Sequence, residues 1–154
     1  MDGKVFLVAD DDSDDTDMFQ EALTGIDSSV VCHFATDGAE ALQKLSELDK
    51  NPHIIFLDVN MPIINGWECL KFIKEHQQYK DVPVVVVSTS SHLREMSIAA
   101  DLGALCYFIK PTDFRELTEI LEVIVKNMGA GLRAALQQLQ ADGSQSIHVL
   151  TVAK

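Results

Sequence analysis

Five short runs of apolar residues, rich in β-branched side chains, recur along the chain and are separated by longer segments of a different pattern. They occupy residues 5–9, 30–35, 54–57, 84–87 and 105–109. Runs that are apolar at every position are typical of strands buried on both faces, as in parallel sheets. The intervening segments repeat apolar residues every three or four positions, as amphipathic helices do. The alternation predicts an α/β fold: a doubly wound parallel sheet of five strands with helices on both faces.

Sequence signals indicate where four of the five helices begin. Ser13 is a suitable N-cap for the first helix, and we interpret Asp14, Asp15 and Asp17 as cap and surface residues, because acids favour helix N-termini. The third to fifth helices are expected to begin near Asn65, His92, and Thr112 or Asp113.

Composition restricts the classes of protein to which the chain can belong. Its 154 residues suit one domain, and 47% hydrophobic residues can supply a core. The net charge of −12 repels phosphate backbones, so direct nucleic-acid binding is not expected. We also expect no membrane contact, because no apolar run approaches ~18 residues and the first residues lack a signal-peptide pattern. Three scattered cysteines, with no paired or metal-type spacing, favour a cytoplasmic location.

Polar side chains follow four of the five predicted strands, at the point where each strand ends. Because ligands in such folds bind outside the carboxyl ends of the strands, we expect these residues to share one site. They are Asp10, Asp11 and Asp12 after the first strand, Asp58 and Asn60 after the third, residues 88–91 after the fourth, and Lys110 after the fifth.

Several carboxylates at one edge repel each other, and a hard divalent cation relieves that repulsion. We expect Asp11 and Asp58 to bind Mg²⁺ directly, Asp10 to bind it through water, and the backbone carbonyl of Asn60 to complete the set. Lys110 then supplies a fixed positive charge. Because Mg²⁺ and Lys110 neutralise the charge of the Asp58 carboxylate, Asp58 can attack phosphorus, which predicts phosphorylation of this aspartate. In this scheme the hydroxyl of Ser88 donates a hydrogen bond to a phosphoryl oxygen.

The chain carries four segments in a fixed order: VFLVADDDS at 5–13, IFLDVNMPIING at 55–66, PVVVVS at 83–88 and YFIKP at 107–111. Their order and separation resemble the response-regulator receiver domain of two-component signalling over residues 4–127. The resemblance implies a flavodoxin-like fold with strand order 2-1-3-4-5 and Mg²⁺ dependence. It also implies that a sensor histidine kinase or a histidine phosphotransfer protein supplies the phosphoryl group from a phosphohistidine.

Residue by residue, the resemblance makes Asp58 the phospho-acceptor, Asp10 and Asp11 the acidic pair, Lys110 the invariant lysine, Ser88 the switch hydroxyl and Tyr107 the switch aromatic. It further implies a cis bond between Lys110 and Pro111. The chain is then a receiver that promotes its own phosphorylation and dephosphorylation, without turnover of a separate substrate.

The receiver is expected to span residues 4–128, followed by a C-terminal extension at 129–154 that is helical then strand-like, or disordered. With no output domain, phosphorylation should act on a downstream protein through helix 4, strand 5 and helix 5. Apolar residues outside the core stripe of helix 5, namely Ile120, Val123 and Val125, suggest a homodimer or partner contact through the same surface.

Two other functions fit some of these residues. A phosphohydrolase of the haloacid-dehalogenase type would use Asp10 as its nucleophile and Asp12 as its second acid, but Asp14 then stands where Thr or Val is expected. A pseudo-receiver that acts only as a binding module is disfavoured, because every expected group is present. Within the receiver interpretation, Ser88 is preferred over Thr89 as the switch hydroxyl, counting from Pro83 and Lys110.

Overall fold

Five parallel strands form the centre of the molecule, and a sixth pairs antiparallel at one edge. The structure is a computed structural model that describes residues 3–61 and 64–150. In chain order the elements are β1 (Val5–Ala9), α1 (Ser13–Ile26), β2 (Val31–Ala35), α2 (Gly38–Glu47), β3 (Ile54–Asp58), α3 (Gly66–Glu75), β4 (Val84–Ser88), α4 (Leu93–Asp101), β5 (Cys106–Ile109), α5 (Phe114–Lys126), α6 (Leu132–Ala141) and β6 (Ile147–Val149).

The order of strands across the sheet is β2-β1-β3-β4-β5-β6, and β1 to β5 are all parallel. The predicted flavodoxin-like order 2-1-3-4-5 is therefore confirmed. All five predicted parallel strands are present, and β6, which lies in the segment expected to be strand-like, adds a sixth strand antiparallel to β5. Its place at this edge of the sheet could not be predicted from its own pattern, because it depends on the pairing with β5. The sheet thus keeps the predicted core and gains one edge strand.

Alternate residues of the strands face two separate apolar layers, as the period of two in a strand requires. Leu7, Ile55 and Val86 face α2, α3 and α4, whereas Phe6, Phe56 and Val85 face α1, α5 and α6. All five residues of β3 are buried. Helices cover both faces of the central sheet, and the carboxyl ends of its strands carry the polar residues.

The N-cap of α1 is Asp12, not Ser13 as the sequence suggested. Its carboxylate accepts hydrogen bonds from the backbone N–H groups of Asp14 at 2.9 Å and Asp15 at 3.3 Å. A carboxylate satisfies two of the unpaired N–H groups of the first turn and also interacts favourably with the helix dipole. Ser13 is consequently the first residue of the helix itself.

The described part of the C-terminal extension, residues 129–150, packs on the body of the chain. Leu132 and Leu136 of α6 and Ile147 of β6 are buried in the same apolar layer as α5. Arg133 donates from its Nη1 to the carbonyl of Leu150 at 2.8 Å, which connects the two ends of the extension. The expected residues Thr151 and Val152 of the strand-like segment lie outside the described residues.

This packing changes the interpretation of the apolar surplus on α5. Ile120 and Val125 are buried, at 2% and 9% exposure, in the layer that α6 and β6 complete. Val123 is half-buried. The residues that suggested a homodimer or partner contact are thus mostly covered by the chain's own extension, so the reason given for that contact was wrong.

Within residues 3–61 and 64–150, no helix combines the length and hydropathy needed to cross a membrane. Cys32, Cys69 and Cys106 are all free thiols, and the last two are buried in the apolar layers.

Candidate functional site: an acidic pocket at the carboxyl edge

Asp58 is the last residue of β3 and is 5% exposed at the carboxyl edge of the sheet. Its Oδ1 atom accepts a hydrogen bond of 2.9 Å from the backbone N–H of Asn60, which fixes the orientation of the carboxylate. The start of α3 lies against this turn. A methyl group on Gly66 would overlap the backbone carbonyl oxygen of Asp58, so glycine permits the close approach.

Asp10 and Asp11 follow β1 and lie beside Asp58. Asp10 is 7% exposed, and its Oδ1 atom accepts from the backbone N–H of Asp12 at 2.9 Å. Asp11 is exposed. One carboxylate oxygen from each of Asp10, Asp11 and Asp58 lies within 4.8 Å of the other two. The set offers hard oxygen donors at a spacing that one divalent cation could bridge.

Lys110 follows β5 and enters the pocket from the opposite side. Its backbone N–H donates to the carbonyl of Ser88 at 2.8 Å, which fixes the start of the side chain. The Nζ atom lies 3.0 Å from Asp10 Oδ2, 3.0 Å from Asp58 Oδ2 and 2.7 Å from Asp15 Oδ2. The ammonium group donates hydrogen bonds to Asp15 and Asp58 and forms an ion pair with Asp10. We call Asp10, Asp11, Asp15, Asp58 and Lys110 the acidic pocket.

The bond between Lys110 and Pro111 is trans, as are all peptide bonds among the described residues. The expected cis bond was therefore wrong. A bond before proline favours trans by about 0.5–1 kcal/mol unless the fold demands otherwise, and here Lys110 reaches the carboxylates without it.

Burial and charge act against each other on the titratable groups of the pocket. Burial raises the pKa of Asp10 to about 6, although the N–H of Asp12 and the ammonium of Lys110 both oppose the rise. Burial lowers the pKa of Lys110, but hydrogen bonds to Asp15, Asp10 and Asp58 outweigh it, so that the pKa lies above its usual range. Lys110 thus stays charged, and Asp10 holds a proton more readily than an exposed aspartate.

Ser88 and Tyr107 lie beside the pocket and are linked through Ser90. Ser88 is 1% exposed, and its Oγ atom accepts from the backbone N–H of Ser90 at 3.0 Å, whereas Thr89 is exposed. The Tyr107 hydroxyl lies 2.8 Å from the carbonyl oxygen of Ser90 and 2.7 Å from Glu95 Oε2. Burial raises the pKa of Tyr107 to about 12. The Tyr107 ring is already buried here, so its movement as a switch stays a prediction.

The structure brings together the side chains of four of the seven predicted site residues: Asp10, Asp11, Asp58 and Lys110. Ser88 is joined to Lys110 through its backbone carbonyl and to Tyr107 through Ser90. Asn60 contacts the pocket through its backbone N–H, which donates to Asp58. Metal binding by the carbonyl of Asn60 stays a prediction. The carboxylate of Asp12 caps α1 and is not among the clustered acids, which counts against a shift of the acidic pair by one residue. Pro62 and Ile63 of the second quoted segment, at 55–66, lie outside the described residues.

Asp15 is the pocket residue that sequence reasoning missed. It was interpreted as a cap or surface acid together with Asp14 and Asp17, yet its Oδ2 atom makes the shortest contact of Lys110. The sequence carried no local signal that separates Asp15 from Asp14, because both are acids in the first turn of α1.

A flavodoxin-like sheet with buried carboxylates and a lysine at its carboxyl edge defines the CheY-like class of α/β domains. Within that class the chain belongs to the response regulators of two-component signalling. The family model described as the response regulator receiver domain matches residues 6–122, more than half of the chain. Receiver domains are signalling domains that interact with kinases and downstream targets, and they use Mg²⁺ at an acidic pocket of this kind.

Known relatives agree with this assignment. Response regulator Rcp1 from Synechocystis is 31% identical over 128 residues, which cover 79% of this chain and 86% of Rcp1. The transcriptional regulatory protein PrrA of Mycobacterium leprae is 33% identical over 80% of this chain, but the match spans only 51% of PrrA. The chain therefore spans about half the length of that relative.

Solved structures resemble the chain as well. The Mn²⁺-bound form of Rcp1 has a TM-score of 0.70 at 28% identity, covering 79% of this chain and 91% of that one. A phosphorylated cyanobacterial phytochrome response regulator, RcpA, has a TM-score of 0.72 at 30% identity, with coverage of 78% and 89%.

Proposed function

We propose that the chain accepts a phosphoryl group on Asp58 from a phosphohistidine of a sensor histidine kinase or a histidine phosphotransfer protein. The observation that carries the proposal is the placement of the Asp58 carboxylate, which is buried, clustered with Asp10 and Asp11, and 3.0 Å from Lys110 Nζ. RcpA, a similar protein, has been solved in a phosphorylated form, which supports the proposal.

In the transfer step, an oxygen of the Asp58 carboxylate attacks phosphorus as the P–N bond to the donor histidine breaks. The imidazole nitrogen keeps the electron pair of that bond and takes a proton from water. Lys110 donates a hydrogen bond to an oxygen of the transferred group, and Ser88 donates another after its hydroxyl turns toward it. Such donors stabilise the charge that is spread over the phosphoryl oxygens in the transition state.

The donor set fits Mg²⁺, because it consists of clustered carboxylate oxygens with no softer ligand among them. Asp11 and Asp58 would hold the ion directly, Asp10 through a water molecule, and the carbonyl of Asn60 would supply a neutral ligand. The bound ion supplies positive charge for the phosphoryl oxygens and offsets the repulsion between the carboxylates. A similar protein, Rcp1, has been solved in a Mn²⁺-bound form.

The signal leaves through α4, β5 and α5, and the hydrogen bonds around Ser90 provide a path. When the Ser88 hydroxyl turns to the phosphoryl group, the backbone N–H of Ser90 loses its acceptor. The carbonyl of the same residue holds the Tyr107 hydroxyl, so a shift of Ser90 changes the position of Tyr107 and of Glu95 on α4. A downstream protein then recognises the altered surface.

The C-terminal extension limits how that surface can be used. Because β6 already pairs with the edge of β5, a homodimer through α4, β5 and α5 would have to include the extension in its contact. We place the protein in the cytoplasm, where its three free cysteines remain reduced.

The direct test locates the phosphate. The chain is incubated with Mg²⁺ and a small phosphodonor, and the modified residue is identified by mass spectrometry. We expect one phosphate per chain, on Asp58, and none in the presence of a chelator or in Asp58→Asn. The matched control is Asp17→Asn, which removes an exposed charge of α1 and should be labelled as the native chain is.

A phosphohydrolase would give a different result. Covalent phosphate on Asp10, with turnover of many donor molecules per chain, would replace the receiver mechanism by the haloacid-dehalogenase type. Absence of phosphate from every aspartate, with a purified cognate kinase as donor as well, would instead support a pseudo-receiver.

A further inference from the structure

Lys110 divides its ammonium group among three carboxylates, and only two of them belong to the expected receiver site. Asp10 and Asp58 each lie 3.0 Å from Nζ, and the third acceptor, Asp15 Oδ2, lies at 2.7 Å. An ammonium group has three hydrogens to donate, so the contact with Asp15 uses one that a phosphoryl oxygen could otherwise accept.

The position of Asp15 is set by the start of α1. The Asp12 carboxylate accepts the N–H groups of Asp14 and Asp15, which fixes the backbone of the first turn. Asp14 is exposed, whereas Asp15 is partly buried and its side chain contacts a lysine that lies 95 residues away in sequence. A helix-start acid that acted only on the helix dipole would need no such partner.

We propose that Asp15 is a positioning residue that holds the Lys110 ammonium on the α1 side of the acidic pocket and thereby lowers the phosphorylated fraction of Asp58. This inference rests on the proposed function. When a phosphoryl group forms on Asp58, Lys110 must donate to it while Asp15 competes for the same ammonium. The Asp15 carboxylate also adds negative charge near an incoming anion, which opposes its approach.

Competition for the Lys110 ammonium and repulsion of the incoming anion both oppose phosphorylation, so removal of the Asp15 carboxylate should favour it. In Asp15→Ala at saturating Mg²⁺, we expect the rate constant for labelling of Asp58 by a small phosphodonor to rise about three- to tenfold. The phosphorylated chain should also lose its phosphate more slowly, because Lys110 is then free to donate fully to the phosphoryl group.

Two variants separate positioning from general effects of charge and helix stability. Asp14→Ala removes an exposed acid from the same first turn and should change the labelling rate by less than about twofold. Asp15→Glu keeps a carboxylate within reach of Lys110 and should restore a rate near that of the native chain.

A second measurement does not depend on phosphorylation. The ammonium signal of Lys110 is followed by ¹⁵N NMR in chelator-treated protein, where its hydrogen bonds slow exchange with water. We expect exchange to become several-fold faster in Asp15→Ala and to stay unchanged in Asp14→Ala, because only the first variant removes an acceptor.

The results distinguish this inference from the proposed function. If native protein takes phosphate on Asp58 but Asp15→Ala labels at the native rate, more slowly, or only as much faster as Asp14→Ala, the role of Asp15 is wrong and the receiver mechanism stands. If native protein takes no phosphate on Asp58, the proposed function fails, whatever the NMR measurement gives. Unchanged exchange at Lys110 in Asp15→Ala would by itself overturn the positioning role.

Discussion

The acidic pocket and the C-terminal extension are held in place by opposite kinds of interaction. In the pocket, three carboxylates lie within 3.0 Å of one ammonium group, Asp11 clusters with two of them, and burial works against the charges of Asp10 and Lys110. In residues 129–150, apolar side chains fill one layer of the core, and the backbone of β6 pairs with β5. The acidic pocket thus contains unfavourable repulsion between carboxylates, whereas the extension is stabilised by ordinary apolar packing and strand pairing.

The difference is what the proposed function requires. Groups that bind a cation and a phosphoryl group cannot also be at their most stable when both are absent, so under that proposal the pocket should respond to pH and to metal. Packing in the extension has no such dependence. We therefore expect variants of the two regions to differ in the conditions that rescue them, and not only in the size of their effects.

The largest effect is expected on removal of the positive charge of Lys110. Lys110→Met leaves the carboxylates of Asp10, Asp15 and Asp58 without their common partner, and loss of one member of a buried ionic set typically destabilises by about 3–5 kcal/mol. Urea unfolding at pH 7.5 with a chelator should show this loss. Addition of Mg²⁺, or a decrease in pH toward 5, should recover a large part of it.

The matched control is Lys126→Met on α5, whose ion pair with Glu122 is largely exposed. Exposed pairs contribute about 0–1 kcal/mol, so the control should be nearly neutral. If the Lys110 variant were as stable as the control, the pocket would not be under charge repulsion and the comparison of the two regions would fail.

The next effect is expected in the extension. Leu136 of α6 is fully buried beside α5, and Leu136→Ala should destabilise by about 3 kcal/mol through lost burial and the cavity that remains. The same urea experiment measures it, and neither Mg²⁺ nor pH 5 should change the loss. Gln137→Ala, at an exposed neighbouring position, is the control and should lie within about 0.5 kcal/mol of the native chain.

Phosphate labelling of Asp58 is a second measurement on Leu136→Ala. While Leu136→Ala remains folded, its labelling rate should equal that of the native chain, because α6 packs mainly on α5 and β6. A large change in rate would mean that the extension and the pocket are coupled.

The central fold could be predicted because its signals are local. Apolar runs such as that of β3 and helix stops such as Gly103, which has a positive φ of 93°, identify elements without knowledge of their partners. The place of the sixth strand could not be predicted in the same way. The pattern of residues 147–152 indicates a strand-like segment, but its antiparallel pairing with the edge of β5 depends on how the extension folds back on the sheet.

The third-largest effect is expected for Asp10→Asn, which should raise the free energy of unfolding of the metal-free protein. Burial raises the pKa of Asp10 to about 6 from a usual value of 3.8, so the folded state binds a proton more tightly than the unfolded state. The favourable contribution is complete below about pH 4 and is lost as the pH rises through 6. Above pH 6 the ionised group therefore destabilises the fold, and Asp10→Asn should stabilise metal-free protein by about 1–3 kcal/mol at pH 7.5.

The pH dependence provides the check on that variant. The advantage of Asp10→Asn should shrink between pH 6 and pH 4, because the native carboxyl group becomes neutral over that range. A variant that is less stable than native protein at pH 7.5 would show that the contact of Asp10 with Lys110 outweighs its burial. Asp12→Asn, at the cap of α1, should show no such gain.

The residues of the pocket differ in how far sequence could identify them. Asp10, Asp58 and Lys110 stand at strand ends, and parallel strands bring those ends together, so their proximity follows from the fold class. Asp15 carries the same local signal as Asp14, since both are acids in the first turn of a helix. What separates them is the direction of each side chain relative to Lys110, which depends on how α1 packs against the sheet.

The smallest effect is expected where the extension meets α5. The hydroxyl of Ser146 donates to the Glu116 carboxylate, and both groups are partly shielded from water. Ser146→Ala should destabilise by about 1–2 kcal/mol, since a hydrogen bond to a charged group is lost and the carboxylate is left unsatisfied.

Within the described residues, the buried hydroxyl of Ser144 has no hydrogen-bond partner, so Ser144→Ala should be neutral or slightly stabilising. Urea unfolding of the two variants compares a satisfied with an unsatisfied hydroxyl two residues apart. Equal losses would mean that the bond to Glu116 does not help to fix the extension, which would then depend on apolar packing and strand pairing alone.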